Sequence, residues 1–181
     1  CDFSDYERAT HVIDLNLPVS DELYNKFDVI VDGGTLEHIF NLPQSLNNLY
    51  KMLKPGGRII FFSPSSNHVD HGFYMFSPTL FYDYYTANKW KIETARIFEY
   101  TTKPDRDLWN IYDYTPGVLD HLSFGGFENR GLLGIHFVVT KTKNSVCDII
   151  PQQRVFVREW NKHKGIKPDN SFNSVSLLER F

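Results

Sequence analysis

Apolar residues in this chain gather in short runs separated by polar turns, and the spacing of each run predicts its element. His11 to Leu15 is a β-branched, apolar stretch halted by Asn16, Leu17 and Pro18, which predicts a buried strand. Ser20 to Lys26 predicts a short helical turn with Ser20 as its cap. Phe27 to Val31 is a second apolar strand, leaving through Asp32-Gly33-Gly34, where two glycines free the backbone for a sharp exit. Leu42, Leu46, Leu49, Tyr50 and Leu53 then recur at helical spacing, and Pro55-Gly56-Gly57 is expected to stop that helix.

Arg58 to Phe62 is continuously apolar after its first residue, as a strand covered on both faces would be, with Ser63 to Asn67 as its exit loop. Ser77-Pro78 opens a helix running to about Asn88. Lys91 to Tyr100 and Gly134 to Thr142 alternate as two further strands. Between them, 101–131 reads as an irregular insertion with the Gly125-Gly126 turn and one short helix near Thr115 to Leu122. Phe156 to Trp160 is a last docked segment before a polar tail.

Strand and helix in alternation make an α/β domain with a largely parallel sheet. Ligands of such sheets bind outside the carboxyl ends of the strands. That rule selects three loops: Asp14 to Pro18, Asp32 to Phe40, and Ser63 to Tyr74.

Composition narrows the function classes. The chain has 181 residues, 41% hydrophobic and 23% charged, which suits a single globular domain. A net charge of -3 argues against a protein drawn to nucleic-acid phosphate or an anionic membrane. No apolar run has the length of a membrane span. Two cysteines, Cys1 and Cys147, are too few for a disulfide framework or a zinc site, so a reducing cytoplasm is the expected setting. Aromatic residues reach 15%, ring surface enough to fill a core or to wall a pocket.

Two segments carry a family resemblance. Phe27-Asp28-Val29-Ile30-Val31-Asp32-Gly33-Gly34-Thr35-Leu36-Glu37-His38-Ile39 resembles the fourth-strand motif of class I S-adenosylmethionine-dependent methyltransferases. Leu53-Lys54-Pro55-Gly56-Gly57-Arg58-Ile59-Ile60-Phe61 is similar to the same family's turn into the fifth strand. The likeness covers about Thr10 to Lys141. It implies a Rossmann-like sheet, mostly parallel with a C-terminal antiparallel strand, and S-adenosylmethionine as cofactor. The family's glycine-rich loop and the acidic residue after its second strand have no counterpart here. On the family layout, His11 to Leu15 resembles the third strand, so the sheet is expected to be N-terminally incomplete. A truncated fragment would account for that, as would a rewired sheet pairing the third and fourth strands directly. Residues 1–143 are then a partial methyltransferase domain and 144–181 a C-terminal extension.

The resemblance also distributes roles. Asp14, Leu15 and Asn16 would meet the adenine, although Asp and Asn also bond their own turns. Asp32, Gly33, Gly34 and Thr35 would line the methionine and sulfonium end, although a tight turn wants glycine anyway. Glu37, His38 and His71 would position or deprotonate the acceptor, or else serve as a helix-start carboxylate and polar surface. In a resembling branch, including small-RNA 2′-O-methyltransferases, an E-x-x-E-H run plus a later His binds a divalent cation. This chain has Gly34 where the first Glu would stand, which weakens a site for a hard cation, and no metal is assigned.

Phe73, Tyr74 and Phe76 lie in a loop similar to one in methyltransferases encoded near glycan-assembly genes, and could wall a pocket or staple a helix. Trp109, Tyr112 and Tyr114 fall where the family varies its acceptor pocket, or form a satellite core. The function expected is methyl transfer to a small-molecule or sugar-containing (glycan-precursor) acceptor, with no nucleic-acid or membrane partner. The alternative is a non-catalytic fold remnant acting as a binding module. A homo-oligomer through an open sheet edge is also expected.

Overall fold

The computed structural model describes residues 1–123 and 131–165. A five-stranded sheet forms from β1 (Phe27–Asp32), β2 (Leu53–Ser66), β3 (Lys91–Tyr100), β4 (Asn110–Asp113) and β5 (Leu132–Thr140), in the spatial order β1-β2-β5-β3-β4. β1 and β2 pair in parallel, while β5 runs antiparallel to both β2 and β3. β1, β2 and β3 therefore point one way, with the C-terminal β5 inserted against them. This is the expected α/β, Rossmann-like arrangement. β4, antiparallel to β3, adds an edge strand from inside the stretch read as an irregular insertion.

Helices α1 (Leu42–Met52) and α2 (Pro78–Ala87) both feed the hydrophobic core, through Leu42, Leu46, Leu80, Phe81 and Tyr84 among others. Beneath them the sheet offers Ile59, Phe61, Ile135, Phe137 and Val139, all wholly buried. The Phe81 ring bridges Phe61 at 4.8 Å and Phe137 at 5.6 Å, so aromatic packing joins helix to sheet. Along β1 and β2 the alternate residues Val29, Val31 and Phe62 face away from this core and are exposed.

Caps behave as read. Ser20 accepts from Glu22 N–H at the 3₁₀ turn Asp21–Leu23, and Ser77 accepts from Thr79 N–H at the start of α2. The end of α1 differs. The helix stops at Met52 and Leu53 is already paired with Phe27, so Pro55-Gly56-Gly57 does not stop the helix but forms an excursion within β2. The register jumps there from Phe27↔Leu53 to Val29↔Arg58. Gly57 is required by close approach: a Cβ there would lie 2.8 Å from the Asp28 carbonyl oxygen. The buried Lys141 ammonium closes this end of α1, donating to the Tyr50 and Leu53 carbonyls at 2.7 Å each.

The predicted strand His11 to Leu15 does not form. Val12 makes an isolated bridge with Asp2, and the segment lies on α1. Asn48, fully buried, donates to the Leu15 and Leu17 carbonyls and accepts from Val19 N–H. Those bonds satisfy the backbone that a sheet neighbour would otherwise have satisfied. The exit loop Ser63 to Asn67 is likewise strand through Ser66.

After β5, residues 145–149 clamp onto α2: Asn88 bonds the Ile149 backbone through both side-chain atoms, and the Trp90 indole donates to Val146 O. Helix α3 (Arg154–His163) follows, its first N–H accepted by Asp83. Gly125 and Gly126 and the tail beyond Gly165 lie outside the described residues. Among the described residues no helix is long and apolar enough to cross a membrane.

Candidate functional site

The carboxyl ends of β1 and β2 open side by side, because Asp32 and Phe61 are parallel partners two residues short of Ser63. Asp32 turns its side chain back into the protein. Its Oδ1 accepts from the N–H groups of Thr35 at 3.0 Å and Leu36 at 3.3 Å, and the Ser63 hydroxyl donates to Oδ2 at 3.3 Å. Burial pushes this carboxyl up to about 6, against the opposing pull of the Thr35 N–H and with a further upward push from the Glu37 carboxylate. Asp32 is thus a turn-builder whose side chain is already occupied. Gly33, beside it, faces open space, and Gly34 takes a φ of +99° that favours glycine.

The turn so built is a 3₁₀ helix, Leu36–His38, and it buries Glu37 to 1% exposure. One Glu37 oxygen, Oε1, lies 3.6 Å from His71 Nε2, and the other, Oε2, is buried without a hydrogen-bond partner. The loop after β2 is bonded to the same residue. Phe73 N–H donates to the Glu37 carbonyl at 2.8 Å and Tyr74 N–H at 3.2 Å. Gly72 permits that approach, since a Cβ there would sit 2.9 Å from the Glu37 carbonyl oxygen. Asn67 and Asp70 both hold positive φ, 65° and 60°, so the segment between them is bent twice into the left-handed region.

The imidazoles of His38 and His71 meet at 5.1 Å between ring centres, and His68 lies 5.6 Å from His71. His68 also contacts the Tyr100 hydroxyl through Nε2 at 3.3 Å, and its burial, with His71 beside it, draws its basicity down. Glu37, His38 and His71, three residues named from the sequence, are therefore one cluster. Their ligand atoms lie within 4.8 Å of one another. Two imidazoles and one carboxylate are a donor set that could hold a borderline divalent ion such as Zn²⁺ in preference to a hard one.

His68 and Tyr100 join the cluster unannounced. The His-x-x-His spacing of His68 and His71 was the available signal for the first. Tyr100 ends β3 and carried none.

Asp14, Leu15 and Asn16 spend their polar groups elsewhere. Asp14 Oδ1 accepts from the Asn16 backbone and side-chain amides, and Asn16 accepts from the Asn41 backbone and side-chain amides at the start of α1 through its Oδ1 and its carbonyl. The Leu15 carbonyl accepts from Ser45 and Asn48. The aromatic residues divide. Tyr114 is core, bonded to Thr79, whereas Trp109 stacks on Phe98 and Tyr100 at the strand ends. Phe76 is buried, while Phe73 stands out at 66% exposure.

The sequence model of a family described as a methyltransferase domain matches residues 3–59, a stretch that includes Asp32 to His38. The demethylmenaquinone methyltransferase of Symbiobacterium thermophilum is 27% identical over 94 residues, 49% of this chain and 36% of that protein. The solved structure of the antibiotic-resistance methyltransferase Kmr aligns over 72% of this chain and 60% of its own, at 15% identity and a TM-score of 0.37. The chain spans little more than a third of the length of the curated relative.

Proposed function

We propose that this chain, which matches a methyltransferase-domain family over residues 3–59 and resembles the class I S-adenosylmethionine-dependent methyltransferases, takes part in methyl transfer to a small-molecule or sugar-containing acceptor, with Glu37, His38 and His71 on the acceptor side. One observation carries the reading: a buried carboxylate, Glu37, with one oxygen against an imidazole and the other unpartnered. A buried polar atom without a partner costs free energy unless something arrives to satisfy it. An acceptor hydroxyl or amine would do so, and the Glu37–His71 pair could take up its proton.

The residues around Gly33 fit a cofactor, since the backbone there faces open space and no side chain obstructs it. S-adenosylmethionine, when bound, supplies a methyl group on a positively charged sulfur. Gly33, Gly34 and Thr35 would hold that end through their backbone. His38 and His71, on loops tied together at the Glu37 carbonyl, would orient the acceptor for in-line attack.

Titration with S-adenosylhomocysteine by calorimetry tests the cofactor half. Binding below about 1 mM, roughly −4 kcal/mol, with Glu37→Gln still binding but transferring labelled methyl at least about 10²-fold more slowly, supports the proposal. No heat would leave a non-catalytic module of the same fold.

A further inference from the structure

The two loops that bury Glu37 also turn three apolar side chains outward. Phe40 is 70% exposed, Phe73 66% and Val69 93%. Phe40 and Phe73 touch edge to face with ring centres 5.6 Å apart, and the Tyr74 hydroxyl donates to the Phe40 carbonyl at 2.7 Å. Phe73 is the residue whose N–H bonds the Glu37 carbonyl. The apolar lip and the polar cluster are therefore neighbours on one loop pair: His71, half exposed, turns one edge to the buried Glu37 carboxylate, and Phe73 follows it with only Gly72 between them.

We infer that this lip is a specificity element that seats the apolar part of an amphipathic acceptor, whose polar head reaches the Glu37–His71 pair. The inference rests on the acceptor-side reading of that pair. Exposed rings beside a polar cluster keep a surface cost that an apolar substituent relieves, whereas a wholly polar acceptor would leave it in place. Charge selects a single amphipathic molecule over a lipid surface. Residues 34–41 and 67–76 contain no Lys or Arg, Asp70 stands in the lip itself, and the chain carries a net charge of -3. An anionic bilayer would be repelled from this face. Between the two left-handed residues, Asn67 and Asp70, Val69 stands outward at 93% exposure while His68 contacts the Tyr100 hydroxyl, so the bent backbone carries both sides.

A homologous series of 4-n-alkylphenols, from ethyl to octyl, tests this by calorimetry on the whole chain without any methyl donor. Affinity should rise roughly two- to fourfold with each methylene. The double variant Phe40→Ser with Phe73→Ser should lose that dependence, yet bind the ethyl member as the parent does. Phe156→Ser with Trp160→Ser, which removes a separate exposed aromatic pair on α3, should keep it. A slope that survives in the Phe40/Phe73 variant, or no slope in the parent, overturns the inference. So does sedimentation of the parent with phosphatidylglycerol vesicles that Phe40→Ser and Phe73→Ser abolish, which would assign the lip to a lipid surface. Because the series needs no S-adenosylhomocysteine, failure here leaves the cofactor titration standing as an independent test of methyl transfer.

Discussion

Glu37 and His71 stand 3.6 Å apart although they leave different strands, and the backbone of the first anchors the loop of the second. The pairing is enforced from both ends. The two side chains meet, and the Glu37 carbonyl takes the N–H groups of Phe73 and Tyr74. Losing either contact should therefore reach the other.

Glu37→Gln keeps the shape of a buried side chain while removing its charge and its capacity to accept a proton. The variant should fold, with thermal stability at or above the parent's, since a partnerless buried carboxylate oxygen no longer needs solvating. Methyl transfer should fall on the order of 10²-fold or more, the usual size of a general-base loss. Circular dichroism melts and a labelled-methyl assay check the two arms.

Gly72→Ala should separate the loops. The new methyl would meet the Glu37 carbonyl oxygen at 2.9 Å, closer than real Cβ contacts, and its neighbour is backbone that cannot swing away. A loss of about 1–3 kcal/mol is expected in urea denaturation. Hydrogen exchange at the Phe73 and Tyr74 amides should accelerate along with it, whereas the amides of β5 should not change.

Asp32 makes stability depend on pH with a definite sign. Its folded value of about 6 lies above the ordinary 3.8, so the folded chain holds an extra proton between the two. That contribution is complete below about pH 4 and is lost as the pH rises through about 6, by up to ~3 kcal/mol. Urea midpoints measured between about pH 4 and pH 7 should decline for the parent. Asp32→Asn, still able to accept from Thr35 and Leu36, should flatten that decline.

Lys141→Met should destabilise the far end of the molecule. Its ammonium satisfies two carbonyls, Tyr50 and Leu53, and lies 4.0 Å from the Tyr50 ring centre. Leaving those carbonyls unpaired should cost roughly 2–4 kcal/mol in a denaturation curve. S-adenosylhomocysteine affinity should be unchanged, because this end of the sheet is opposite the Asp32 turn.

What the sequence by itself determined was local. The spacing of Leu42, Leu46 and Leu49 made α1, Ser20 and Ser77 made caps, and the apolar runs made β1, β2 and β3. Even the Glu37-His38 turn with His71 was legible, because a family motif and a strand-end rule converged on the same loops. His11 to Leu15 had the composition of a strand, but its backbone bonds went to Asp2, to its own turn at Leu17 and, at the Leu15 carbonyl, to the Asn48 and Ser45 side chains instead of to a neighbouring strand. Propensity describes what a segment can do, and only its partners settle which hydrogen bonds it makes. Tertiary structure also decided what no spacing encodes: that Tyr100 reaches His68, that Asn16 accepts from Asn41 at the start of α1, and that Phe73 faces out while Phe76 faces in. Each depends on distances between residues far apart in the chain, set by packing once the sheet had closed around its core.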